Sequence, residues 1–245
     1  MINPALIPLL RAAKDVVVLT GAGVSAESGV PTFRDAMSGL WAQFKPEELA
    51  TPEAFMRNPK LVWEWYAWRR KLVSDVQPNP GHHALVELER RVPRFTLITQ
   101  NVDSLHQRAG SKNVIELHGN IRRVKCSAEN KVVENWQETK DLPPRCPNCN
   151  DGLLRPDVVW FGEMLPRREL EEAYDRCKDA QLIFSIGTSS LVHPAASLPS
   201  YGKNYGAKIV EINPTETPLS RDADFLIQGL SGKVLPELVK MIWNI

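Results

Sequence analysis

Several groups of residues in this sequence have types and spacings suited to chemistry. Gly21-Ala22-Gly23-Val24-Ser25-Ala26-Glu27 sets two glycines in a tight loop after an apolar run. Such a loop lets the backbone approach a phosphate while the N–H groups of a following helix face the anion. The spacing is a permitted variant of the dinucleotide fingerprint, and a plain tight turn would read the same way. No acidic residue closes a second strand roughly 20 positions further on, so the loop indicates a nucleotide but not an ordinary dehydrogenase. Gln100, Asn101 and Asp103 share one short turn. An amide and a carboxylate side by side hold a carboxamide, although Asn-Val-Asp also forms a self-capping turn. His118 stands before Gly119, and a neutral imidazole there accepts a proton near working pH, or else is simply structural. The other histidines, His82, His83, His106 and His193, read as caps and solvent contacts.

Gly187, Thr188 and Ser189 form a small-residue cradle for a phosphate or ribose, and Asn213 suits ribose hydroxyls. Thr32, Phe33 and Arg34 follow Pro31. An aromatic there can shield a reactive centre from water, and the guanidinium can pair with a phosphate oxygen. Cys126, Cys146 and Cys149 include one C-x-x-C pair, with sixteen residues between position 129 and Cys146. That spacing suits a zinc ribbon in which Glu129 stands where a fourth thiolate is usual. Zn²⁺ accepts three thiolates and a carboxylate; a lobe without metal is the alternative. Any such ion is structural. Cys177 reads as a buried thiol.

The elements that must position these groups are short apolar runs: residues 15–20, 94–99, 113–118, 181–186 and 207–213, and a weaker one at 224–227. Continuous apolar runs separated by helix-like segments indicate a parallel sheet covered on both faces, with ligands held at the strand ends. The expected fold is a doubly wound, Rossmann-like α/β domain of residues 1–32, 91–118 and 157–245. Residues 33–90, helical in pattern, and 119–156, turn-rich with few strand signals, form a smaller lobe over the same crevice. In the helix over 60–74, Tyr66 and Arg69 are three apart and share one largely apolar face. Arg69 then either snorkels to a surface carboxylate or grips an acyl carboxylate with Tyr66.

The 245 residues, 43% hydrophobic and 24% charged, exclude disorder and supply ample core. Thirty basic against 29 acidic residues argue against a broad nucleic-acid or membrane surface. No apolar run approaches a bilayer span, and Met1–Ala13 does not read as a signal peptide. Four cysteines fit a reduced, cytoplasmic setting.

The stretch from Gly21 to Asp35 (GAGVSAESGVPTFRD) resembles the signature of the sirtuins, NAD-dependent protein deacylases. Matches continue in the family's order at 99–110 (TQNVDSLHQRAG), 117–120 (LHGN), 158–163 (VVWFGE), 187–195 (GTSSLVHPA) and 211–214 (EINP). Residues 63–70 (WEWYAWRR) resemble the prokaryotic-type class III branch. The resemblance implies that NAD is the co-substrate and acyl-lysine proteins or peptides are the partners. It makes His118 the general base, Asn101 and Asp103 the nicotinamide pocket, and Gln100 a ribose contact. Gly21, Ala22, Gly23, Ser25, Glu27, Thr32, Phe33 and Arg34 would contact the cofactor from one side, and Gly187, Thr188, Ser189, Asn213 and Ser231 from the other. The peptide would lie along Val159, Phe161, Gly162 and Glu163, and Tyr66 with Arg69 would read a succinyl or malonyl carboxylate. Nicotinamide, free lysine and O-acyl-ADP-ribose would be released. Mono-ADP-ribosyl transfer or NAD hydrolysis on the same scaffold is the alternative.

Overall fold

A run such as Val16-Val17-Val18-Leu19 is apolar toward both faces of a sheet and must be covered on both, which dictates the layering. The computed structural model describes residues 2–31, 43–149 and 151–243. The chain runs α1 (Leu6–Ala12), β1 (Asp15–Thr20), α2 (Ala22–Ala26), α3 (Pro52–Arg57), α4 (Pro59–Asp75) and α5 (Pro80–Arg91). It continues with β2 (Arg94–Thr99), α6 (Leu105–Ala109), β3 (Val114–Glu116), β4 (Gly119–Cys126) and β5 (Leu154–Val158). Last come α7 (Arg167–Asp179), β6 (Leu182–Ile186), α8 (Leu198–Lys203), β7 (Lys208–Asn213), β8 (Phe225–Gln228) and α9 (Ser231–Trp243).

Six strands form one parallel sheet in the order β3-β2-β1-β6-β7-β8. Each matches an apolar run read from the sequence. Val16 and Val18 point to a core shared with Leu6 and Leu10 of α1, Leu85 and Leu88 of α5, and Leu235 and Leu238 of α9. Val17 and Leu19 point the other way, against Ala173 and Cys177 of α7 and Leu198 of α8. Each fully buried Leu or Val contributes about 1.5–3 kcal/mol, so the two layers fix the sheet between them. Although α5 lies in the 33–90 stretch expected for the smaller lobe, it packs in the core of the sheet.

The stretch 119–156 contains more strand than its pattern suggested. β4 and β5 pair antiparallel, with a register break between Asn120 and Val124. That bulge breaks the period-two alternation, because Ile121 and Val124 are buried with two exposed arginines between them. The sheet also carries Pro156, a residue that weakens any strand reading. α4 lies against this hairpin through two clusters. Val62, Trp65, Tyr66 and Val73 meet Ile121, Val158 and Trp160, whereas Trp63 meets Val124, Cys126, Cys146 and Leu154. Thr51 and Asn58 cap α3 and α4 through their side chains, each followed by a proline at the first helical position.

Gly119 is where the sheet hands the chain to the hairpin. Its φ is +78°, and a Cβ there would collide with the Asp157 carbonyl. Gly119→Ala is therefore expected to destabilise the fold by at least about 1–3 kcal/mol, read as a lower urea midpoint. An unchanged midpoint would show that this turn relaxes freely.

Candidate active site

The strand order reverses between β1 and β6, and the carboxyl ends of these strands open the crevice at that switch point. The two loops there are nearly in backbone contact. Gly21 N–H donates to the Ile186 carbonyl at 3.1 Å and Gly23 N–H to the Gly187 carbonyl at 2.8 Å. A Cβ on Gly21 would lie 2.8 Å from Gly187 O and from Thr188 Cα, and one on Gly23 would lie 2.8 Å from Gly187 Cα. Only glycines fit this cradle.

Asn101 sits beside it, 8% exposed. Its Nδ2 donates to the Gly21 carbonyl and to Ser25 Oγ, both at 3.0 Å. A carbonyl only accepts, so the amide orientation is fixed and Oδ1 is the side left toward a ligand. Asp103 accepts the Leu105 N–H at 2.8 Å and a hydrogen bond from Ser25. Burial raises its pKa, against those bonds and the charges of Arg108 and Arg69. Gln100 Nε2 donates to Thr188 Oγ1 at 3.1 Å, and Asn213 Nδ2 donates to the Thr188 carbonyl at 2.8 Å. Two hydrogen-bonded groups, Gly21–Ser25–Asn101–Asp103 and Gln100–Thr188–Asn213, thus line the crevice around the glycine cradle. Ala22 and Ser189 are exposed at its rim.

At the far end Glu27 accepts from Ser231 Oγ at 2.6 Å and from Gly232 N–H at 2.9 Å, joining α2 to α9. Thr32, Phe33 and Arg34 lie outside the described residues.

His118 leaves β3 at the mouth of the pocket. Its Nδ1 is 3.0 Å from the Gln100 carbonyl, which makes Nδ1 the protonated nitrogen and leaves Nε2 able to accept. Burial lowers the pKa of the ring, and the Gln100 bond opposes this only in part.

The 159–163 segment is held rigidly. Val159 N–H donates to the His118 carbonyl at 2.9 Å and Phe161 N–H to the Ala50 carbonyl at 3.0 Å. Glu163 takes two bonds from Arg155, at 2.6 and 2.9 Å, and one from Trp160 N–H at 2.8 Å. The Arg155 guanidinium also lies 3.3 Å above the Trp160 ring. Phe161 remains 55% exposed and Gly162 takes φ +85°. Trp160 Nε1 donates to Tyr66 Oη at 3.0 Å. Tyr66 and Arg69 are both buried rather than snorkelling to the surface. Arg69 lies 5.0 Å over the Trp65 ring, and burial lowers its pKa while Tyr66 and Asp103 oppose this.

The sulfurs of Cys126, Cys146 and Cys149 all lie within 4.8 Å of one another. Gly152 N–H points at Cys149 Sγ and Glu129 N–H at Cys126 Sγ, each at 3.4 Å. Such donors suit thiolates gathered around a cation. A side chain at position 152 would collide with Cys126 Sγ, at 2.5 Å. The donor set fits Zn²⁺. The Glu129 carboxylate, the expected fourth ligand, is not part of this cluster and faces Lys131 Nζ at 3.9 Å. Cys177 is buried between the sheet and α7, as its apolar setting suggested, with its thiol pushed up to about 12.

Sequence reasoning missed Arg155, which lies on a strand that left no periodic signal and turns to Val158, Trp160 and Glu163 just after it. It also read His106 as a solvent contact; the ring is 1% exposed. His82 is the cap it was expected to be, closing a capping box with Asn79.

Together these features define an α/β nucleotide-binding enzyme fold with a small lobe and a three-thiol cluster. The Sir2 family model matches residues 21–194. A protein from Aquifex aeolicus named NAD-dependent protein deacylase is 57% identical over 86% of this chain and 87% of its own length. NAD-dependent protein deacylase 1 of Archaeoglobus fulgidus is 51% identical over 97% of this chain and 96% of its own length. A structure described as a Sir2 homolog–NAD complex superposes with a TM-score of 0.92 at 50% identity, covering 100% of this chain and 95% of that one. The chain belongs to the Sir2 family.

Because burial disfavours imidazolium, His118 is neutral at and above its ordinary value of 6.5 and gains its proton only at lower pH. The imidazole titration followed by NMR should have its midpoint below 6.5. A midpoint above that value would mean that a nearby carboxylate, and not desolvation, governs the ring.

Proposed function

We propose that this chain is an NAD-dependent protein-lysine deacylase in which His118 is the general base. The observation that carries the reading is the Nδ1–Gln100 carbonyl bond, because it fixes the tautomer that leaves Nε2 basic. NAD, when bound, supplies the activated glycosidic carbon and the nicotinamide leaving group. The residues do the rest. Asn101 Oδ1 and the Asp103 carboxylate are two acceptors, matched to the NH₂ end of a carboxamide. The glycine cradle with Ser189 and Ala22 receives the phosphates, Gln100, Thr188 and Asn213 the ribose hydroxyls, and Glu27 with Ser231 the adenosine end. Thr32, Phe33 and Arg34 are carried over from the family resemblance as the segment that covers the cofactor. His118 Nε2 takes a ribose hydroxyl proton, and the closed crevice excludes water until the acyl group has moved. His118→Ala should bind NAD normally and lose about 10²- to 10⁴-fold in turnover; near-normal turnover would remove His118 from the mechanism.

The peptide adds as a strand beside Val159, Phe161, Gly162 and Glu163. We further propose that Tyr66 and Arg69 read a carboxylate on the acyl chain, making the chain a desuccinylase and demalonylase with weaker deacetylase activity. A buried guanidinium beside a buried phenol supports this, since a charge-assisted bond is worth about 1.5–3 kcal/mol. Arg69→Met should erase the succinyl preference while sparing acetyl removal. Equal loss of both activities would mean that Arg69 only supports α4.

The larger unit is taken to hold the sheet and its helices and the smaller one the α3–α4 segment with the β4–β5 hairpin. No described helix is long and apolar enough to cross a membrane. A cytoplasmic setting is proposed from the four free cysteines, three of them gathered as metal-binding thiols. Cys126, Cys146 and Cys149 hold one structural Zn²⁺ without the Glu129 carboxylate. Glu129→Ala should keep the metal content of the wild type, whereas Cys149→Ser should lose it and loosen the hairpin. Zinc lost in Glu129→Ala would restore the carboxylate as a ligand.

A further inference from the structure

Beneath the crevice lies a buried histidine pair whose polar atoms the chemistry above does not use. His82 of α5 and His106 of α6 are 0% and 1% exposed, with ring centroids 4.8 Å apart. Asn79 N–H donates to His82 Nδ1 at 3.3 Å, so the ring's hydrogen sits on Nε2. No polar atom among the described residues receives that hydrogen. His106 Nε2 is 3.0 Å from Thr20 Oγ1, and Thr20 donates its own proton to Thr99 Oγ1 at 2.9 Å. Thr20 must therefore accept from His106 Nε2–H, and His106 Nδ1 is left as an acceptor with no partner. An unmatched donor and an unmatched acceptor thus stand on neighbouring buried rings, each costly if left unpaired. At the other end, Thr99 Oγ1 also accepts the Asn101 N–H at 3.0 Å.

We propose that His82 Nε2–H serves His106 Nδ1, completing a directed hydrogen-bond relay from the cap of α5 through His106 and Thr20 to Thr99, the acceptor on which the Asn101 N–H also rests. His82 and His106 are thereby positioning residues for the carboxamide pocket. Small rotations of the rings close the bond. The Asn79 N–H, which can only donate, sets the direction of each link as far as Thr99, where the Asn101 N–H donates from the other side. Burial agrees with two neutral rings, lowering the pKa of His106 and taking that of His82 to about 4. The relay deepens the deacylase reading, since it holds the loop on which that reading places nicotinamide.

Nitrogen-15 NMR of the imidazoles reads the tautomers without any need for activity. Both rings should be neutral Nε2–H forms at pH 6; a protonated His106 or an Nδ1–H tautomer on either ring overturns the relay. Thr20→Val cuts it at the midpoint, beside His106, while leaving both histidines in the chain. The KM for nicotinamide in base exchange should rise about tenfold, as expected for one lost buried hydrogen bond, with the KM for acyl-peptide unchanged and Thr20→Ser restoring the wild-type value. Unchanged nicotinamide kinetics in folded Thr20→Val, or no rescue by serine, also overturns it. A wild-type protein that shows the expected tautomers but no nicotinamide chemistry would contradict the deacylase reading and leave the relay standing.

Discussion

The near-contact of the Gly21–Gly23 backbone with Gly187 is the constraint on which the rest of the site depends. It brings the loops after β1 and β6 together at the switch point of the sheet. With no side chain between them, the Gly21 carbonyl turns to Asn101 Nδ2 and the Gly187 carbonyl to Gly23 N–H. Asn101 in turn orients Ser25, and Ser25 bonds Asp103. A methyl group at either glycine would part the loops and disorient the Asn101 amide, whose Nδ2 is held by the Gly21 carbonyl and Ser25. The covered sheet keeps β1 and β6 from adjusting, because Val16 to Leu19 are essentially unexposed.

The smaller lobe is tied to this centre by polar links set in an aromatic cluster. Trp160 bonds Tyr66 through its indole and Glu163 through its backbone, and Arg155 covers its face while gripping Glu163. A buried guanidinium is costly to desolvate unless its donors are met. Arg155 meets most of that demand with two bonds to Glu163 and one to the Val158 carbonyl, and only its Nε–H has no partner among the described residues. The 159–163 segment is therefore a fixed edge, and Tyr66 of α4, proposed above to read the acyl chain, is bonded to the same tryptophan.

Much of this was legible in the sequence where the signal was local. The six parallel strands follow from apolar runs, and the glycine loop, the Asn101–Asp103 turn and the C-x-x-C pair are contiguous patterns. The β4–β5 hairpin was not legible, because its bulge shifts Ile121 and Val124 out of alternation and Pro156 argues against a strand. Arg155 and His106 were missed for another reason: a buried polar residue announces itself only through the partners the fold brings to it, here Glu163 and Trp160 around Arg155 and the distant Thr20 beside His106. Glu129 shows the converse. Its spacing suited a ligand, yet its carboxylate faces Lys131.

The central claim is that the crevice couples nicotinamide release to acyl transfer from lysine, and mass spectrometry of a complete reaction tests it most directly. With NAD and a succinyl-lysine peptide, the protein should yield nicotinamide, free-lysine peptide and O-succinyl-ADP-ribose in equal amounts, and no nicotinamide without the peptide. Nicotinamide released without peptide, or ADP-ribose left attached to protein, would contradict the account.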